Sequence, residues 1–112
     1  MYILIDLNLR DVELEEPNDT RRFHVAVAHG DDYAKVADVL SEKDVGYVDA
    51  DDTEEHAWIA VDAVQELAVG RTNHGWEEHF DKMLDHAAKH GWLSADRTHL
   101  KAHLDWIDVD GV

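Results

Sequence analysis

Cysteine is absent from the 112 residues, which excludes disulfides, thiolate zinc sites and a cysteine nucleophile. That absence suits a reducing cytoplasm, the expected location. Serine is scarce: Ser41 and Ser94 are the only two, and neither sits in a G-x-S-x-G nucleophile elbow. Phosphate-cradling loops of the P-loop or G-x-G-x-x-G kind are missing. No apolar run approaches the roughly 20 residues that span a bilayer. The N-terminus also lacks the basic, apolar, small-residue order of a signal peptide. Cations are few, ten Lys and Arg against 26 Asp and Glu, for a net charge of −16. Such a surface repels nucleic acid and anionic membrane, so direct binding to either is not expected.

What is present is enough to fold. An apolar fraction of 45% is that of an ordinary globular chain, and the length suits one core, so residues 1–112 read as a single α+β domain. Asp outnumbers Glu 17 to 9. The acidity has three readings: a solvated or salt-adapted surface, attraction of a basic partner, or mimicry of the DNA phosphate backbone as an inhibitor of a DNA-binding protein. The acids are spread over the whole chain, which places mimicry last.

Along the chain, Met1 to Leu9 alternates, with Ile3, Ile5, Leu7 and Leu9 on one face. Val12 and Leu14 continue on the opposite parity, which asks for a bulge or bend near Arg10-Asp11. Pro17-Asn18-Asp19 is turn chemistry. Arg21 to Ala28 predicts a second strand, antiparallel to the first. Asp31 and Asp32 can cap a helix carrying Tyr33, Val36, Ala37 and Leu40, which ends near Asp44 with Gly46 just beyond. Two short strands follow, Val45 to Asp49 and His56 to Val61. Asp62 and Gln65 have capping-box spacing for a short helix from Ala63 to Ala68.

The stretch from Thr72 to Ile107 predicts two amphipathic helices joined at Gly91-Trp92. Thr72 or Asn73 caps the first, whose stripe is Trp76, Phe80, Met83, Leu84, Ala87 and Ala88. Ser94 or Asp96 caps the second, which carries Leu100, Leu104 and Ile107. The order β-β-α-β-β-α-α-α implies a small, mainly antiparallel sheet of about four strands covered by helices, closed by a helical hairpin.

Three constellations could carry chemistry. His79, His86 and His90 share a stripe on one predicted helix, and His99 and His103 are an i, i+4 pair on the next. If the helices are antiparallel neighbours, their imidazoles could converge on a divalent transition metal. H-x-x-x-H without an intervening Glu lacks the zinc-protease signature, and rings flanking a helix seam are the plainer reading. The acidic loop with Asp49, Asp51, Asp52, Glu54 and Glu55 lacks the EF-hand register, so a solvated tip that a basic partner could approach is expected. Asp11, Glu13, Glu15 and Glu16 form a second acidic patch. Of the tryptophans, Trp58, Trp76 and Trp106 read as core, and Trp92, beyond a helix stop, as a corner pin or an interface anchor.

The expectation is therefore a small acidic protein without catalytic activity, acting through contact with a basic protein partner and needing no cofactor. The alternative is a histidine metal-binding protein or metal-dependent enzyme.

Overall fold

Residues 1–49 and 56–107 are described by the computed structural model. Alternation of the fully buried Ile3 and Ile5 with the half-buried Tyr2, Leu4 and Asp6 marks Tyr2–Asp6 as the first strand, β1. It stops at Asp6 because that carboxylate accepts from the amides of Asn8 (2.9 Å) and Leu9 (3.1 Å), which reverses the chain. The second strand, β2 (Asp11–Glu15), returns antiparallel with Ile3 opposite Leu14 and Ile5 opposite Val12. The parity change between Leu7 and Val12 is thus absorbed by a tight turn rather than a bulge within one strand. Leu9 is thrown into solvent, 74% exposed, instead of joining the core face.

The third strand, β3 (His24–Ala28), corrects the expected antiparallel hairpin. It lies on the other side of β1 and runs parallel to it, with Tyr2 opposite His24 and Ile5 opposite Val27. The eight residues 16–23 cross over the start of β1, where the Met1 ammonium donates to the Asp19 carbonyl at 2.9 Å. Passing one strand means covering about 10 Å, well within reach of such a link.

Helix α1 (Tyr33–Glu42) is capped as its sequence predicts, the Asp32 carboxylate accepting from the amides of Ala34 and Lys35. It buries Val36, Val39 and Leu40. Strand β4 (Gly46–Val48) follows and pairs antiparallel with β5 (His56–Ala60). Gly46 is required by close approach: a Cβ there would stand 2.1 Å from the Trp58 carbonyl oxygen. Helix α2 (Val61–Ala68) begins directly after β5, with Ala60 as an N-cap that offers no side-chain bond, so the Asp62–Gln65 capping box is not used.

Helix α3 (Trp76–Lys89) buries Trp76, Phe80, Leu84 and Ala87. Gly75, at φ 84°, takes the N-cap position instead of Thr72 or Asn73, and Ala88 lies exposed rather than in the stripe. Its end is a Schellman turn: Gly91 donates to the Ala88 carbonyl, and Trp92 to that of Ala87 at 2.9 Å.

The largest correction comes last. The expected closing helix is strand β6 (His99–Ile107), so the element order is β-β-β-α-β-β-α-α-β. Ser94 and Asp96 do not cap a helix; they build the turn into β6. Asp96 accepts from the Ser94 and Thr98 hydroxyls, each at 2.7 Å, and from the Thr98 amide. Those bonds hold its carboxyl down at about 2. β6 pairs parallel with β3 and antiparallel with β5, giving a mixed six-stranded sheet in the order β2-β1-β3-β6-β5-β4. The class is α+β, with six strands in place of four and parallel pairs at the centre.

One apolar cluster joins the helices to the sheet. Ile3, Ile5, Leu14, Val25, Ile59 and Leu104 supply it from the strands, and Val39, Val64 and Phe80 from the three helices. Full burial of each such side chain contributes about 1.5–3 kcal/mol. Trp76 is in the core as expected, whereas Trp58 and Trp106 are half-buried.

Candidate functional site

The fully buried strand residues Ile3, Ile5, Leu14, Val25, Val27 and Ile59 join the helices' apolar stripes in one core, so among the described residues the opposite face of the sheet carries no helix. The pairing aligns a row of rings across that free face. Tyr2 lies opposite His24 with the rings stacked, centroids 4.9 Å apart and planes at 16°. Because Val25 pairs with Leu104, His24 falls beside His103. His103 in turn lies opposite His56, the rings meeting edge to face at 5.6 Å. One lateral row thus runs Tyr2–His24–His103–His56 over β1, β3, β6 and β5.

Burial pushes the His24 imidazole below its ordinary range, and the N-terminal ammonium and His103 push the same way, while Asp105 and Glu16 oppose. Burial, with Glu15 and Glu16 beside it, raises the Tyr2 phenol. Burial likewise lowers the N-terminal ammonium, against the pull of Asp19 and Glu16.

Acids border this row. On β2, Asp11, Glu13 and Glu15 alternate with the buried Val12 and Leu14, so all three project from the helix-free face. Asp6 stands directly opposite Asp11 on the same face, and Asp105 joins from β6 beside Ala26. Glu16 is exposed in the turn after β2. Three members of the second acidic patch therefore share one face, and Glu16 sits close enough to influence both Tyr2 and His24.

Asp49 closes the other end of the row, its amide donating to the His56 carbonyl at 3.2 Å. Its carboxylate accepts from Trp58 Nε1 at 3.3 Å and lies 3.7 Å from Lys101 Nζ. Its carbonyl accepts from the Tyr33 hydroxyl. Asp49 is thereby tied into the fold, while Asp51, Asp52, Glu54 and Glu55 lie outside the described residues.

The five histidines of the expected metal cluster do not converge; only His86 and His90 are brought together. His79 borders a surface depression with Asn18, Asp19, Thr20 and Arg21. His86 and His90 face each other at 4.5 Å, and His90 stacks on Trp92, which is 47% exposed. His99 packs on Tyr47 at 5.1 Å, with Nδ1 2.8 Å from the Thr98 hydroxyl, and His103 belongs to the sheet row. The second helix on which convergence depended is a strand, and a strand sends His99 and His103 to the sheet face. Among the described residues no group of three or more His, Asp or Glu side chains is placed to hold a metal ion.

Sequence reasoning missed Tyr2, His24 and His56. No local signal could have found them, since their alignment depends on the strand order. No helix among the described residues is long and apolar enough to cross a membrane. No protein-family model matches the chain, and no curated protein or solved structure is significantly similar to it.

Proposed function

We propose that this protein, a single α+β domain of the cytoplasm, acts without catalytic chemistry of its own by docking a basic protein partner on the helix-free face of its sheet. The observation that supports this reading is the arrangement of β2: three carboxylates, Asp11, Glu13 and Glu15, alternate along an edge strand and point away from the core. Asp6 and Asp105 add to the same face. A chain of net charge −16 steers a cationic partner toward such a face, with an on-rate that falls as salt screens the field. Asp51, Asp52, Glu54 and Glu55, in the chain between β4 and β5, extend the same proposal, with Trp92 as a candidate anchor.

The test uses a fluorescent octalysine peptide as the probe and stopped-flow association at low salt. Glu13→Lys with Glu15→Lys is compared with Glu77→Lys plus Asp81→Lys, which changes charge equally on the exposed side of α3. Docking on the sheet face predicts a rate loss of roughly tenfold for the first pair and much less for the second. Equal losses would mean diffuse attraction without a docking face and would overturn the proposal.

A further inference from the structure

We propose that His86 and His90 form an open chelate for one divalent transition-metal ion at the C-terminal end of α3. The four-residue separation puts both imidazoles on one side of the helix, a turn apart. Their ring centroids are 4.5 Å apart, with planes at 57°. Two imidazole nitrogens bound to one ion at ~2.0–2.1 Å, meeting at ~90–110°, bring the ring centres roughly 4.5–5 Å apart. The observed spacing meets that requirement, and the sheet pair His56–His103, at 5.6 Å, is wider. His86 and His90 are both exposed, so the remaining coordination positions are open to water or to a ligand from another molecule.

Trp92 makes the pair a prepared site. It stacks on His90 at 4.6 Å and 20°, and it meets His86 edge-on at 6.2 Å. Stacking restrains the face of the imidazole and leaves the in-plane nitrogen lone pairs free for a metal. Trp92 is itself held by the hydrogen bond that its backbone N–H donates to the Ala87 carbonyl in the Schellman turn. Less freedom is then lost when the ion binds.

The electrostatics are divided. His90 is the C-cap of α3, where the negative end of the helix dipole favours a cation. Lys82 and Lys89, flanking in sequence, oppose one. Imidazole basicity rather than bulk charge therefore sets the selectivity, in the order copper above nickel and zinc, with magnesium and calcium left to carboxylates. The site uses none of the acids of β1, β2 or β6 and shares only Trp92 with the proposed docking surface.

The experiment is calorimetric titration of the full chain with nickel chloride in 0.5 M potassium chloride, with tryptophan fluorescence followed in parallel. The expected result is saturable uptake of one ion per chain, unaffected by excess magnesium. His86→Ala and His90→Ala should each weaken it by about tenfold or more. A double His56→Ala, His103→Ala variant should bind as the parent does. Trp92→Phe should keep the uptake and lose most of the metal-induced quenching. Circular dichroism confirms that the variants are folded. No saturable uptake, displacement by magnesium, or uptake indifferent to His86→Ala and His90→Ala would each overturn the proposal.

Discussion

His103 on β6 stands directly opposite His56 on β5, their rings edge to face at 5.6 Å, in a row that continues through His24 to Tyr2.

His24 gives that row a definite pH dependence. Burial and its cationic neighbours lower its proton affinity in the fold, with Asp105 and Glu16 opposing, so below its ordinary pKa of ~6.5 the unfolded chain binds more protons than the native one. Stability must then rise with pH across that window and fall on acidification. Urea midpoints at pH 7.5 and 5.5 should show the loss. His24→Phe, which keeps a ring for Tyr2 to stack on, should flatten the slope; an unchanged slope in that variant would refute the assignment.

The turn after β1 makes a second prediction. Ile5 is fully buried while Leu9 is 74% exposed, although both lie on the same alternating face of the sequence. Ile5→Ala should cost about 2–5 kcal/mol. Leu9→Ala should change stability by no more than about 0.5 kcal/mol. Denaturant unfolding of the two variants decides it, and a large loss at Leu9 would mean that β1 continues past Asp6.

A third prediction concerns the charge itself. Asp6 and Asp11 are directly opposed on the free face, and opposed like charges destabilise a sheet by about 0.2–1 kcal/mol. Asp6→Asn keeps an oxygen for the Asn8 and Leu9 amides and removes the repulsion. Because Lys43 Nζ lies 3.8 Å from Asp11 and His29 Nε2 3.8 Å from Asp6, it should stabilise the protein by at most the lower end of that range in 20 mM potassium chloride, and by almost nothing in 1 M, where screening acts within ~3 Å. The parent should be folded throughout the series, its thermal midpoint rising with salt. Unfolding below about 0.1 M would instead identify the acidity as adaptation to a salty interior and remove the ground for a docking face.

Local signals were legible where one period was unambiguous. Asp32 caps α1, and Trp76, Phe80, Leu84 and Ala87 are the buried stripe of α3. They failed at the last element because Leu100 and Leu104, four residues apart, satisfy both a helical and a strand period. Ala102 and Trp106 are the residues that side with the strand, as do the buried positions 100, 102 and 104. The candidate site was legible in part: alternation alone puts Asp11, Glu13 and Glu15 on one face once β2 is granted, and four-residue spacing alone pairs His86 with His90.

The sequence by itself determined the α+β class, the acidic surface and the segments that bury apolar residues, because composition and short-range periodicity act within a few residues. Only the tertiary structure decided that β3 runs parallel to β1, that β6 enters the middle of the sheet, and that His24, His56 and His103 align. Those outcomes depend on which distant strands exchange hydrogen bonds, a choice governed by packing of the whole core and carried by no local pattern.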